Sequence, residues 1–288
     1  MRGELPSVNA VWGCLYHCDQ NVPTPVFWQS NIWLKPFTFE FDTISQAVAT
    51  LKSVQRNWAS SLFCCFRRGE LIRKKLPFIN MSPKEFPWIL PDSPMGAWTL
   101  LDDHTIAASA ECSSPFPAGK IEFVQNKIDP PSRAYLKLQE AFTLCRKMPH
   151  SGDLCLDAGA NPGGWTWVLA QLGAKITSVD RTPLDPRLLA MPNVKFIKHD
   201  AFTLKPQDIG VLDWLVCDII CYPPRLYEWI GEWLASGLCR NFICTIKMQG
   251  DYFDAKTTSL FAAVPNSKVV HLNYNKHELT WIKLHDQK

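Results

Sequence analysis

Between residues 154 and 283 short apolar runs alternate with stretches of helical period, and this alternation limits the fold more than any other feature of the chain. The runs fall at 154–158, 175–180, 194–198, 213–218, 241–247, 268–272 and 278–283, with helical patterns over 164–172, about 224–234 and 253–263. Two of the runs are nearly continuous in apolar residues, as strands are when helices cover both faces of a sheet. An α/β fold built on a mostly parallel sheet of seven strands is therefore predicted. Only the polar stretch 273–277 separates the last two runs. That is too short for a crossover helix, so the final pair is expected to be antiparallel.

The first 130 residues do not follow this rhythm. Residues 32–41 read as a strand, and 43–58 as an amphipathic helix capped by Thr43 or Asp42. Residues 98–101 and 105–109 read as a hairpin. The expected organisation is a small α+β domain over 1–114, a linker with four prolines over 115–131, and the α/β domain over 132–288. A length of 288 residues suits two domains, and 47% hydrophobic against 20% charged residues is a globular rather than a disordered composition. No apolar run approaches the roughly 18 residues of a membrane span. Residues 1–10 lack the apolar segment of a secretory leader. The 11 cysteines, an odd number, lie mostly in apolar runs as free thiols. A cytoplasmic protein without membrane association is expected. Cys14, His17 and Cys18, or Cys64 and Cys65, have no second ligand pair to complete a zinc site, so no metal is expected. The net charge of +3 excludes a polycation but permits a nucleic-acid enzyme with a local basic patch.

Chemistry concentrates at the carboxyl ends of the predicted strands. Asp157 ends the first, and Gly159, Asn161, Pro162, Gly163, Gly164 and Trp165 follow before a helix begins. This is the nucleotide-binding position of a doubly wound sheet. The spacing is not GxGxxG, and no lysine stands where a phosphate-binding loop needs one, so a pyrophosphate ligand is disfavoured. Asp180 ends the next strand, where a carboxylate can accept both hydroxyls of a ribose. Asp200 follows the third and could accept from an adenine amino group; Asp218 ends the fourth. Any one of these aspartates alone would read as a helix cap or a solvated turn. Four at successive strand ends beside a glycine loop read as one crevice. A ligand with a ribose, an adenine and a cationic centre but no phosphate fits it best, namely S-adenosylmethionine.

These residues carry a family resemblance. Asp157-Ala-Gly-Ala-Asn-Pro-Gly-Gly-Trp165 resembles the first motif of the FtsJ-type ribose 2′-O-methyltransferases, and Ser132-Arg-Ala-Tyr-Leu-Lys137-Leu-Gln-Glu140 is similar to their upstream element. Leu215-Val-Cys-Asp218, Cys244-Thr-Ile-Lys247 and His277-Glu278-Leu-Thr-Trp-Ile match later strands. Within the family the wording is nearest to the branch that methylates a cytidine 2′-hydroxyl in large-subunit ribosomal RNA, although Ala134 stands where that branch carries serine. The resemblance implies a Rossmann-like S-adenosylmethionine-dependent fold and a catalytic tetrad of Lys137, Asp218, Lys247 and Glu278. A ribose hydroxyl is a weak nucleophile, so a base must take its proton as it attacks a methyl group. The resemblance gives that role to Lys247. The competing account is an ordinary ion pair of Lys247 and Glu278 at exposed strand ends.

The resemblance also implies an RNA-binding N-terminal module similar to a THUMP domain, here over about 25–112. Arg67, Arg68, Arg73, Lys74 and Lys75 lie close together against one acid, Glu70. Such a cluster attracts phosphates, but a solvated helix face explains it equally well. Trp28, Trp33, Trp58, Trp88 and Trp98 could stack unpaired bases, with core packing the alternative for most of them. The expected partner is RNA. Methylation of a transfer RNA or a cap, and a catalytically silent RNA-binding or assembly factor, remain as rival functions.

Overall fold

A computed structural model describes residues 8–18, 26–250 and 252–285. The stretch through Ser7, where the absence of a leader was argued, lies outside them. The chain divides after Phe123 into two units.

The first unit opens with an antiparallel hairpin of β1 (Val8–Trp12) and β2 (Leu15–Cys18). A four-stranded sheet follows in the order β3-β6-β5-β4, from β3 (Pro36–Glu40), β4 (Trp58–Ser60), β5 (Gly96–Leu100) and β6 (Thr105–Ser109). The β5–β6 pair is the expected hairpin. Helix α1 (Ile44–Val54) is capped by Thr43, whose hydroxyl accepts the Gln46 N–H, and it buries Ala47, Val48 and Leu51. It ends four residues earlier than its period predicts. The Trp58 indole N–H reaches back to the carbonyls of Leu51 and Gln55, both at 2.9 Å, adding a second donor to the Leu51 carbonyl that already accepts the Gln55 N–H, and Trp58 itself enters β4. Helix α2 (Phe66–Lys75) carries the basic run. Phe41, Leu51, Trp58, Ile72, Trp98, Leu100 and Ile106 make one core. Phe116, Ile121 and Phe123 of the proline-rich segment are also buried.

The second unit is the predicted seven-stranded sheet. In chain order its elements are α3 (Tyr135–Cys145), β7 (Leu154–Ala158), α4 (Gly164–Gln171), β8 (Lys175–Asp180), α5 (Pro186–Leu189), β9 (Val194–Lys198), α6 (Pro206–Ile209) and β10 (Leu212–Cys217). Helix α7 (Pro223–Ser236), β11 (Cys239–Lys247), α8 (Ala255–Ala262), β12 (Ser267–Val270) and β13 (Glu278–Lys283) complete it. The strand order is β12-β13-β11-β10-β7-β8-β9. Strands β7 to β11 are parallel, and β13 inserts between β12 and β11, antiparallel to both. The insertion sets Glu278 directly opposite Lys247. Strand order reverses between β7 and β10, where a doubly wound sheet opens its ligand crevice. Strands β7, β10 and β11 are buried on both faces, and Trp214, Trp281 and Phe242 fill the space between sheet and helices. No helix among the described residues is long and apolar enough to cross a membrane.

Candidate active site

Sharp backbone turns shape the glycine loop after β7. Gly159 sits at φ +74°, in the left-handed region, and a Cβ there would collide with the Ile219 side chain. The N–H groups of Gly159 and Ala160 both donate to the Val179 carbonyl, at 2.8 and 3.2 Å, which seats the loop on β8. The Asn161 N–H donates to Asp180 at 3.0 Å, and its side-chain amide to the Pro183 carbonyl at 2.6 Å. Gly163, at φ +116°, caps α4, and a Cβ there would meet the Leu188 side chain of α5; it does not line the cavity that the loop borders. The loop borders a cavity of about 370 Å³ lined by Ser132, Ala134, Asp157, Gly159, Asn161, Pro162, Gly164, Trp165, Asp180, Asp218 and Lys247. An adjoining cavity of about 220 Å³ shares Gly159, Asp180, Ile219 and Ile220 and adds His199, Asp200, Phe202 and Arg225.

Three of the four carboxylates thus line one cavity, and the fourth lines its neighbour. Asp157 is 1% exposed, and its Oδ2 accepts the Thr166 hydroxyl at 2.6 Å. Burial pushes its carboxyl up to about 7; the Thr166 bond pulls against this, and the Asp218 and Asp180 charges add to it. Asp180 accepts the N–H groups of Asn161 and Thr182 on separate oxygens. Asp200 caps the short turn Ala201–Thr203 and pairs with the Arg181 guanidinium, with Arg225 at 3.7 Å. Burial opposes its ionisation, but those partners and the Phe202 N–H hold it below the usual carboxylate range. The acceptor expected for an adenine amino group therefore already holds two guanidinium groups. Arg181 and Arg225 lie far from Asp200 in sequence, so spacing carried no sign of this cluster.

The four tetrad residues converge. Lys137 Nζ stands 3.0 and 3.1 Å from the two Asp218 oxygens and 2.6 Å from Glu278 Oε1. Lys247 Nζ stands 3.0 Å from Asp218 Oδ1 and 3.9 Å from Glu278 Oε2. Burial penalises the Asp218 charge, yet the Lys137 and Lys247 ammonium groups and the Thr245 hydroxyl, which donates at 2.6 Å, outweigh it and lower the carboxyl below its ordinary value. The two lysines differ in access: the Lys247 side chain is 17% exposed and lines the larger cavity, while Lys137, at 9%, is not part of that lining. The exposed surface pair considered as an alternative is not what the structure contains.

Three supporting residues escaped the sequence reading. Thr245 fixes Asp218 from the second position of the Cys244–Lys247 motif, and Thr166 fixes Asp157. Glu140, one helical turn beyond Lys137 on α3, is buried and accepts the N–H groups of Asn273 and Tyr274 at 2.8 and 3.0 Å. It ties the approach to β13, and hence to Glu278, onto the helix that supplies Lys137. Burial pushes its carboxyl up to about 7 against those two bonds. Glu140 lies inside the quoted upstream motif, so its position was visible and only its role was not.

In the first unit the basic run lies along α2. Arg73 pairs with Glu70 at 2.6 Å, and Arg68 packs over the Phe41 ring and donates to the Asp42 carbonyl. Arg67, Lys74 and Lys75 are exposed, Lys75 standing 3.4 Å from the Ser45 hydroxyl. Trp58 and Trp98 are fully buried, so neither can stack on a base; Trp28, Trp33 and Trp88 keep partial exposure. The burial of Trp58 and Trp98 follows from their places in the paired strands β4 and β5.

The donor set fits S-adenosylmethionine in three respects. Gly159 leaves room where any side chain would intrude, and the first residues of α4, whose amides lack intrahelical acceptors, line the cavity. The wall carries carboxylates suited to hydroxyls and a cation, with no cation in the glycine loop for a polyphosphate. With that geometry in place, comparison with known proteins defines the class. Residues 130–263 match the family model of the FtsJ-like methyltransferases, and the second unit is a domain of that family. Among relatives, the ribosomal RNA large subunit methyltransferase M of Azoarcus sp. (strain BH72) is 39% identical over 141 residues, 47% of this chain and 38% of that protein. The protein of the same name from Xanthomonas oryzae pv. oryzae is 34% identical over 213 residues, 71% of this chain and 57% of its own. The chain spans between about a third and somewhat over half of the length of these curated relatives.

Proposed function

We propose that the protein is an S-adenosylmethionine-dependent RNA ribose 2′-O-methyltransferase acting on large-subunit ribosomal RNA in the cytoplasm, with Lys247 as the proton acceptor. The observation that carries this reading is the arrangement of two lysines around one carboxylate at the cavity wall, with only the second lysine lining the cavity. The cofactor supplies an electrophilic methyl group on a sulfonium. Asp157, Gly159, Asn161, Pro162, Gly164, Trp165 and Asp180 would hold it, with Asp200 and Asp218 at the margins and Gly163 shaping the loop.

The chain's own residues prepare the nucleophile. Asp218 is held by Thr245 and, through both its oxygens, by Lys137, in addition to its contact with Lys247. Lys137 spends its charge on Asp218 and Glu278, which leaves Lys247 as the amine able to meet a hydroxyl. In its unprotonated form Lys247 takes the 2′-hydroxyl proton as the oxygen forms its new bond to carbon, and Asp218 and Glu278 receive the resulting ammonium. The rate gain comes from positioning and charge, since little covalent chemistry falls to the protein. The exposed cations of α2, Arg67, Lys74 and Lys75, supply phosphate contacts for the RNA, with Arg68 and Arg73 shaping that face. The relatives' shared name supports large-subunit ribosomal RNA as the substrate.

The test is tritium transfer from labelled cofactor into ribosomal RNA, followed by alkaline hydrolysis. A 2′-O-methyl group blocks cleavage and leaves a labelled dinucleotide. Lys247→Ala should lower transfer by at least about 10²-fold, the low end for loss of a general base, with cofactor affinity preserved. Near-parental transfer by this variant removes Lys247 from the mechanism, and label in alkali-labile nucleotides removes the 2′-hydroxyl as the target.

A further inference from the structure

Three segments are tied together beside Lys247. The Gln249 side-chain amide, two residues past Lys247, donates to the Cys221 carbonyl at 3.4 Å, joining the loop after β11 to the loop after β10. A His277 ring nitrogen lies 2.9 Å from the Gly250 carbonyl, joining the same loop to the residue before Glu278. Each tie has a large exposed side chain next to it. Ile220 is 77% exposed, Tyr222 is 69% exposed and Tyr252 is 72% exposed. Ile220 also lines the cavity that Lys247 lines.

Single apolar residues on a surface need no explanation, but here Ile220 lines the cavity and the two tyrosines flank the Cys221–Gln249 and Gly250–His277 ties that join these loops. The group is also pre-ordered at one point. Pro223 and Pro224, with fixed φ, start α7 immediately after Tyr222, whose carbonyl accepts the Arg225 N–H at 3.1 Å. An aromatic whose backbone is already fixed at a helix entrance has only its side-chain rotation left to lose when something stacks on it.

Covalent geometry names the occupant. The carbon that bears a ribose 2′-hydroxyl is bonded to the carbon that bears the base. A hydroxyl delivered to Lys247 therefore brings its base within reach of the same cavity mouth. The glycine loop and Asp157 line that cavity together with Ile220, and the loops that carry Ile220, Tyr222 and Tyr252 follow directly on the strand ends that bear Asp218 and Lys247. Their chemistry, two phenol rings and an aliphatic chain without a cation, suits the face of an unpaired base and not a phosphate.

We infer that Tyr222 and Tyr252, with Ile220, form the stacking surface for the base of the nucleotide being methylated, which must be single-stranded or drawn out of its helix. The inference rests on the proposed role of Lys247. It makes these tyrosines positioning residues for the target nucleotide, separate from the cofactor site and from the cations of α2.

The experiment measures kcat and KM for methyl transfer into large-subunit ribosomal RNA from cells lacking this protein. It uses the full chain and its Tyr222→Ala, Tyr252→Ala, Tyr222→Phe and Tyr252→Phe variants. Cofactor affinity by calorimetry serves as the control for folding, and both positions are exposed enough that the fold should survive. Each alanine variant should lose roughly tenfold or more in kcat/KM for RNA, the scale of one lost base stack, with cofactor affinity unchanged. Each phenylalanine variant should retain parental activity, because the ring and not the hydroxyl is used. Alanine variants with parental kcat/KM, or phenylalanine variants as poor as alanine, overturn the inference while leaving Lys247 in place. A parent chain that transfers no methyl group to RNA overturns the Lys247 reading and this inference with it.

Discussion

Asp157→Asn should stabilise the cofactor-free protein at neutral and alkaline pH while weakening its hold on the cofactor. Asp157 lies on β7 at 1% exposure, with one hydrogen bond from Thr166 of α4 and two further carboxylates nearby. Burial raises its carboxyl from 3.8 to about 7. Between those two values the folded protein keeps a proton that the unfolded chain has already released. Its stabilising contribution is therefore complete below about pH 4 and is lost as pH rises through about 7, the sign expected of a raised carboxyl. At about 1.4 kcal/mol per pH unit, the shift corresponds to about 4 kcal/mol. Asparagine has the same shape, can still accept from Thr166 and never ionises, so it removes this slope. The assay is urea unfolding of parent and variant at a series of pH values from about 4 to about 8. The difference curve isolates Asp157 from other titrating groups such as Glu140. The variant's advantage should grow with pH and level off above 7. A flat or falling difference curve refutes the reasoning, because it would mean that the native state carries this carboxylate ionised at little cost.

Gly159→Ala meets both a left-handed backbone and the Ile219 side chain, so it should cost about 1–3 kcal/mol in unfolding experiments and reduce cofactor affinity measured by calorimetry. Glu140→Gln replaces one of the two carboxylate oxygens that accept backbone N–H groups with a donor that faces an N–H group; kcat for transfer should fall about tenfold through the loosened approach to Glu278, with cofactor affinity kept. Reversing charge on α2 with Arg67→Glu and Lys74→Glu should weaken RNA binding and lower the salt slope of log affinity by about one to two, read by filter binding across a salt series.

The alternation of apolar runs and helical periods foretold the strands of the second unit closely, because a strand buried on both faces leaves a nearly unbroken apolar signature. Residues 213–218 against β10 (Leu212–Cys217) differ by one position at each end. The first unit was less legible. Period alone carried α1 on to Trp58, and only a side-chain bond back to the Leu51 and Gln55 carbonyls shows why the helix stops at Val54. The hairpin β1–β2 left no distinct pattern, since short two-stranded elements show little alternation.

At the site, the sequence by itself determined which residue types stand at the carboxyl ends of the strands and where the backbone must turn on glycine. Both are local matters, set by strand period and by which residues tolerate positive φ. The tertiary structure decided the rest, because electrostatics acts through space between residues far apart in the chain. It brought Lys137 from α3 onto Asp218, 81 residues away, and placed β13 so that Glu278 faces Lys247. It engaged Asp200 with Arg181, enclosed Asp157 away from water, and gave Lys247 rather than Lys137 the open side of the cavity. Each of these depends on a distance and a degree of burial that no spacing along the chain encodes.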